Sequence, residues 1–134
     1  AGTIETSLVA QQLLVVVDDE ESIRDGMQQL LSTWGCEVVV GADAEEVIAQ
    51  LQRKPDGIVS DFRLRGAHTG IETIDAINSA YSSTIPALIV TGDTEKQLLV
   101  ELQSGGHQVL HKPVPPAKLR AFLRSLPPPP LPET

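Results

Sequence analysis

The chain has 134 residues, enough for one domain with a buried core, and its formal net charge is -8 at pH 7. This acidic balance, with no Lys/Arg cluster along the chain, argues against nucleic acid as a partner. Aromatic residues make up only 3% of the sequence, so we expect an aliphatic core, which suits parallel strands buried on both faces.

The single cysteine, Cys36, rules out an internal disulfide and fits a reducing compartment. We expect Cys36 to be a small packing residue, because no His or Lys stands near it to activate the thiol. The sequence shows neither a secretory leader nor an apolar stretch long enough to cross a bilayer. These features predict a cytoplasmic domain without membrane contact.

Short apolar runs alternate with stretches of helical period along the whole chain. The runs predicted as strands are residues 13–17, 37–40, 58–60, 87–90 and 108–111. The apolar stripes predicted on helices lie within residues 23–34, 47–51, 71–77, 98–102 and 119–126. Five strands each followed by one helix predict an α/β fold, a doubly wound five-stranded parallel sheet flanked by five helices.

Capping residues set the expected helix ends. Ser22 is placed to cap the first helix and Gly35 to end it. Asp43 and Glu46 have the spacing of a capping box before the second helix, and Gly70 opens the third. We therefore expect a globular domain over residues 12–126, preceded by a linker at 1–11 and followed by a Pro-rich tail at 127–134.

Reactive side chains follow four of the five predicted strands. These residues are Asp18 and Asp19 after the first, Asp61 after the third, Thr91 after the fourth and Lys112 after the fifth. In an open α/β sheet the carboxyl ends of the strands form the ligand crevice, so we expect these side chains to meet there. Such a cluster can hold a divalent metal and handle a phosphoryl group.

Four segments in order, VVVDDEE, VSDFRLRG, LIVTGD and LHKPV, resemble the signature of the response-regulator receiver domain, the CheY-like phosphoacceptor of two-component signalling. The resemblance covers residues 12–126. It implies a flavodoxin-like sheet with the strand order 2-1-3-4-5. It also implies a cis peptide bond before Pro113.

The resemblance assigns a role to each site residue. Asp61 is the implied phosphoacceptor, and Lys112 and Thr91 are expected to contact phosphoryl oxygens. The ligands implied for Mg²⁺ are Asp18, Asp19, Asp61 and the backbone carbonyl of Arg63. The purely structural alternatives are a capping role for Asp61 and an acidic first helix turn for Asp18 and Asp19.

The implied partner is the phosphohistidine domain of a histidine kinase, in cis or in trans. The C-terminal segment resembles receivers at the end of hybrid sensor histidine kinases, from which the phosphoryl group would pass to a histidine phosphotransfer protein. A stand-alone response regulator is the alternative. Val109 stands where the family usually has a switching aromatic, so we expect output through loop and helix shifts alone, or onward transfer.

Two other classes of protein share parts of this pattern. A haloacid-dehalogenase-type phosphatase needs Asp-x-Asp after its first strand, which the run from Asp18 to Glu20 does not provide. A receiver-like module that works without phosphorylation would keep the fold and lose site residues, yet all are present. His107 and His111 are expected to face solvent or pack rather than bind metal. Phe62 either shields the acyl phosphate or packs in the core.

Overall fold

The computed structural model describes residues 12–64, 69–92 and 96–126, with the backbone alone at positions 96 and 97. The strands are β1 Leu13–Val17, β2 Glu37–Gly41, β3 Gly57–Asp61, β4 Ala87–Thr91 and β5 Gln108–His111. The helices are α1 Glu21–Thr33, α2 Ala44–Gln50, α3 Gly70–Tyr81, α4 Lys96–Ser104 and α5 Pro116–Ser125. In the described ranges all strand pairs are parallel and the sheet order is β2-β1-β3-β4-β5, which confirms the predicted fold.

The sheet has a core on each face because successive strand residues point to opposite sides. Leu14 and Val16 of β1 pack in one cluster with residues of α1 and α5. Val15 and Val17 pack in the other with residues of α2, α3 and α4. The interior strand β1 is therefore buried throughout. Every helix in the described ranges falls short of what a bilayer-spanning helix needs.

The start of α1 differs from the prediction. Glu20, not Ser22, is the N-cap, and Ser22 lies inside the first turn. The reason is local, since the Asp18 carboxylate accepts the Glu20 N–H at 2.9 Å and the chain enters the helix earlier than the sequence suggested. Gly35 ends this helix as predicted, with a φ of 88° that favours glycine.

The other helix starts agree with the sequence more closely. Asp43 caps α2 by accepting the Glu46 N–H at 2.9 Å. The Glu46 carboxylate turns instead to the N–H of Ala42, at 3.3 Å, so only half of the predicted capping box forms. Helix α3 opens at Gly70 as predicted, and its capping box, Thr69 with Glu72, was missed from the sequence.

Candidate functional site

Strand register brings the predicted site residues to one end of the sheet. Val17 of β1 lies beside Ser60 of β3, so Asp18 and Asp61 follow neighbouring positions. Asp61 in turn lies beside Val90, one residue before Thr91. The main-chain N–H of Lys112 donates to the Thr91 carbonyl at 2.8 Å, which joins the ends of β4 and β5.

Three carboxylates and one ammonium form the centre of the site. One oxygen each from Asp18, Asp19 and Asp61 lies within 4.8 Å of the others. Lys112 Nζ lies 3.2 Å from Oδ2 of Asp18 and 3.2 Å from Oδ2 of Asp61. Asp18 is only 3% exposed, so its charge is held away from solvent. Among the described residues of this cluster, negative charge exceeds positive charge.

Hydrogen bonds and an ion pair hold both the main chain and the carboxylate of Asp18. Its N–H donates to the Gly41 carbonyl at 3.1 Å, and its carbonyl accepts from Arg24 Nη1 at 2.7 Å. The two carboxylate oxygens have different partners, since Oδ1 accepts the Glu20 N–H and Oδ2 pairs with Lys112. The sequence did not indicate this role for Arg24. Its only signal is a basic residue near a helix N-terminus, where the helix dipole disfavours positive charge.

The charges of the site are unevenly compensated. Burial, together with the charge of Asp18, raises the pKa of the Asp61 carboxyl, and Lys112 opposes the rise without cancelling it. Burial tends to lower the pKa of the Lys112 ammonium, but Asp18 and Asp61 outweigh this effect and the pKa is raised. Lys112 therefore stays charged, while Asp61 lacks full compensation.

Three carboxylates that converge in this way suit a hard divalent cation. Mg²⁺ prefers carboxylate and carbonyl oxygens and keeps several waters. The donor set consists of oxygens alone, and its excess negative charge is what a cation would neutralise. The residues present therefore fit Mg²⁺ by chemistry and by proximity.

The segment after Asp61 turns back on itself. Arg63 and Thr69 form an isolated antiparallel bridge, and Arg63 is exposed. Phe62 is 8% exposed and packs in the core cluster on the α2–α3 face, which supports the packing alternative for this residue. The Arg63 guanidinium lies 5.7 Å from the Phe62 ring centre. Residues 65–68 of this segment lie outside the described ranges.

A cavity of about 480 Å³ opens beside the cluster. Asp18, Asp61 and Lys112 line one part of it, and aliphatic residues of α1 line another. The volume leaves space next to the carboxylates for a small polar group. The cavity also gives the Asp61 carboxylate a side from which a reacting group can approach.

The end of the sheet near β5 carries the remaining predicted features. The Lys112–Pro113 peptide bond is cis, as predicted. His111 is exposed and His107 is half-buried. Neither belongs to the metal-ligating cluster found among the described residues. Val109 pairs with Ile89 and packs on the α2–α3 side of the core.

Fold and site together define an α/β domain with a carboxylate cluster at the carboxyl ends of its parallel strands, and a family comparison agrees with this class. The sequence model of the response regulator receiver domain matches residues 14–124. The chain belongs to the response regulator receiver domain family. The matched range lies inside the predicted domain, and the predicted linker and tail lie outside the described residues.

Individual relatives give the same result. The transcriptional regulatory protein FixJ of Bradyrhizobium diazoefficiens is 33% identical over 114 residues, which are 84% of this chain and 55% of FixJ. The C4-dicarboxylate transport transcriptional regulatory protein DctD of Pseudomonas aeruginosa is 30% identical over 108 residues, 79% of this chain and 23% of DctD. The chain thus spans about half or less of these two relatives.

A solved structure matches over nearly its full length. The chemotaxis protein CheY4 of Vibrio cholerae superimposes with a TM-score of 0.70 at 32% sequence identity. The match covers 85% of this chain and 97% of CheY4. This chain is therefore a receiver domain of two-component signalling with a CheY-like fold. Receiver domains generally bind Mg²⁺ and interact with histidine kinases or phosphotransfer proteins.

Proposed function

We propose that this domain accepts a phosphoryl group from a phosphohistidine onto Asp61 in a Mg²⁺-dependent reaction. The observation that carries the proposal is the convergence of Asp18, Asp19 and Asp61 around the Lys112 ammonium. Family membership supports the same role. A structural ion pair would need one carboxylate for one ammonium, and here there is an excess of carboxylates.

Asp61 is the carboxylate best suited to attack phosphorus. Both Asp18 oxygens are engaged, one by the Glu20 N–H and one by Lys112. Lys112 pairs with Oδ2 of Asp61 and is shared with Asp18. The Asp61 side chain is 11% exposed, which is enough for a reacting group to reach it through the adjacent cavity. Asp61 therefore combines access with a poorly compensated charge.

The transfer conserves atoms and charge. A carboxylate oxygen of Asp61 forms a bond to phosphorus while the bond from phosphorus to the donor histidine nitrogen breaks. The nitrogen keeps the electron pair, and the ring, whose other nitrogen carries a proton, leaves as neutral imidazole. The product is an acyl phosphate on Asp61, and water can later attack phosphorus to release phosphate and restore the carboxylate.

The surrounding residues supply binding and charge. Asp18, Asp19, Asp61 and the Arg63 carbonyl would hold Mg²⁺, which when bound neutralises phosphoryl oxygens and screens the carboxylates from the incoming group. Lys112 is placed to exchange its Asp61 contact for a phosphoryl oxygen. Thr91, buried at the end of β4, is proposed to donate its hydroxyl to another. Loss of one such donor typically lowers rate by about 100-fold.

The donor is proposed to be a histidine kinase, in the same chain or in a separate one. The two curated relatives are transcriptional regulatory proteins by name, so the hybrid-kinase context stays a prediction from the C-terminal segment. In that context the group would pass on to a histidine phosphotransfer protein. Transfer from Asp61 to a purified phosphotransfer domain would favour the relay, and its absence would favour a response regulator.

Intact-mass spectrometry after incubation with acetyl phosphate tests the proposal. Phosphoryl transfer from acetyl phosphate follows the same chemistry as transfer from phosphohistidine, with acetate as the leaving group. No cognate kinase is therefore needed. We expect one phosphoryl adduct with Mg²⁺ and none in chelator. Asp61→Asn should remain unlabelled. Asp75→Asn, a matched change at an exposed site on α3, should label as the parent does.

Three outcomes would contradict the proposal. One is an adduct that persists in Asp61→Asn, and another is labelling that ignores Mg²⁺. The third is a parent that takes no phosphoryl group from acetyl phosphate or from a phosphohistidine donor. This last result would leave a receiver fold that acts by protein contact without phosphorylation.

A further inference from the structure

The first turn of α3 lies directly against the main chain of the proposed phosphoacceptor. A Cβ added at Gly70 would stand 2.6 Å from the carbonyl oxygen of Asp61 and 3.2 Å from Ser60 Oγ. The first distance is too short for any side chain, so only glycine permits this approach of two main-chain segments. Gly70 is therefore required by the position of Asp61 and not only by the start of a helix.

Hydrogen bonds hold the same region from both sides. Ser60, which is fully buried, donates from Oγ to the Asp61 carbonyl at 3.0 Å. The Gly70 N–H donates to the next carbonyl, that of Phe62, at 2.7 Å. The end of β3 is thus held at two consecutive carbonyls, and the second of these hydrogen bonds joins it to the start of α3. Because the main chain of Asp61 is fixed in this way, the direction in which its side chain projects from the strand is fixed as well.

We infer that Gly70 and Ser60 are positioning residues for Asp61, and that they set the place of its carboxylate relative to Asp18 and Asp19. The inference rests on the proposed function for its kinetic consequence and on the acid cluster alone for its effect on Mg²⁺ binding. Groups at a reactive site need to be held within about 0.5 Å of their working geometry. A methyl group at position 70 is expected to exceed that tolerance.

Gly57 at the opposite end of β3 provides a matched control. A Cβ there would meet Leu126 Cδ1 at 3.1 Å and Leu14 Cδ1 at 3.2 Å. These atoms are the ends of flexible side chains, which can turn away, whereas the obstacle at Gly70 is main chain. Gly57→Ala should therefore crowd the same strand as Gly70→Ala without moving Asp61.

The test uses the whole chain and three variants, Gly70→Ala, Ser60→Ala and Gly57→Ala. Calorimetry gives the Kd for Mg²⁺, acetyl phosphate labelling gives the phosphorylation rate, and circular dichroism gives the Tm. We expect Gly70→Ala to bind Mg²⁺ about tenfold more weakly and to label about tenfold more slowly. Ser60→Ala, which loses one neutral hydrogen bond, should lose about threefold in each. Gly57→Ala should lower only the Tm.

The inference is overturned if Gly70→Ala folds and keeps parental Mg²⁺ affinity and labelling, or if Gly57→Ala loses as much of both. If Gly70→Ala does not fold, Ser60→Ala decides, and parental values in that variant overturn the inference. A parent that binds Mg²⁺ but takes no phosphoryl group would refute the proposed function alone. The Mg²⁺ affinities of the variants would then still decide the positioning role.

Discussion

The two ends of β3 carry aspartates that are equally buried but differently compensated. Asp56 precedes the strand and Asp61 ends it, and each side chain is 11% exposed. Asp56 accepts the Leu13 N–H at 2.7 Å and lies 3.4 Å from Arg53. Asp61 shares one ammonium with Asp18, which is more deeply buried.

The comparison separates a structural carboxylate from the proposed phosphoacceptor. At the amino end, Asp56 has a backbone donor and a cation, and its charge helps to join β1 to β3. At the carboxyl end, unsatisfied negative charge is retained next to a cavity, which costs stability and leaves a place for a cation. The difference between the ends lies in partners and not in burial.

The largest expected effect comes from removing the ammonium. Lys112→Met should slow acetyl phosphate labelling by about 100-fold, because a charged donor to the phosphoryl group is lost. Arg53→Met removes the cation at the other end. The two ends are about 16 Å apart along the strand at roughly 3.3 Å per residue, so the labelling rate should change by less than about twofold. Parental labelling of Lys112→Met would contradict the role given to this residue.

Mg²⁺ should stabilise the fold through one end of the sheet only. At a Mg²⁺ concentration about 100 times Kd, binding contributes about 2.7 kcal/mol. This should raise the parent Tm by about 10 °C. Asp61→Asn and Asp19→Asn should lose most of that rise, and Asp56→Asn should keep it. An equal rise in all four proteins, measured by thermal denaturation, would place the ion elsewhere.

The amino end should respond in stability and not in labelling. Asp56→Ala leaves the Leu13 N–H without its acceptor, which is expected to cost about 1–3 kcal/mol in the free energy of unfolding. Urea denaturation measures this loss. Asp75→Ala on the exposed face of α3 is the control and should change stability by less than about 0.5 kcal/mol. A slower labelling rate in Asp56→Ala would contradict the assignment of stability to the amino end and of phosphorylation to the carboxyl end.

The sequence predicted the carboxyl end well because its residues follow apolar runs directly. Asp18, Asp61, Thr91 and Lys112 each mark the end of a predicted strand, and parallel topology brings strand ends together without any knowledge of side-chain contacts. The sheet order came from the resemblance. The meeting of the strand ends was within reach of the sequence because it depends on period and chain order alone.

The residues that support the site were out of reach for a physical reason. Arg24 and Gly70 act on main-chain carbonyls, at Asp18 and Asp61, that carry no sequence signal. The error at Ser22 has the same origin. Ser22 is a good cap by composition, but the Asp18 carboxylate bonds to the Glu20 N–H and fixes an earlier start. Composition cannot reveal such competition between neighbouring side chains.

The smallest expected effect concerns pH and gives the sharpest contrast between the aspartates. Because the folded state raises the Asp61 pKa, folding favours the protonated form of this carboxyl. Its contribution to stability is fully present below the unfolded pKa, about 3.9, and is lost as pH rises through the folded pKa. In chelator at neutral pH the ionised Asp61 therefore destabilises the metal-free protein.

Asp61→Asn cannot ionise, so in chelator near neutral pH its Tm should exceed the parent Tm by about 2–5 °C. The gap should close as the pH falls through the raised pKa of the folded Asp61 carboxyl, because the parent carboxyl then becomes protonated. Asp56→Asn should show no such gain, since the charge that it removes is paired with Arg53. Saturating Mg²⁺ should reverse the order of Asp61→Asn and parent, because the ion binds the intact cluster. If the Tm of Asp61→Asn in chelator were at or below that of the parent, Lys112 would already compensate the Asp61 charge fully. Excess negative charge at this end of the sheet would then not be the reason why the site needs a cation.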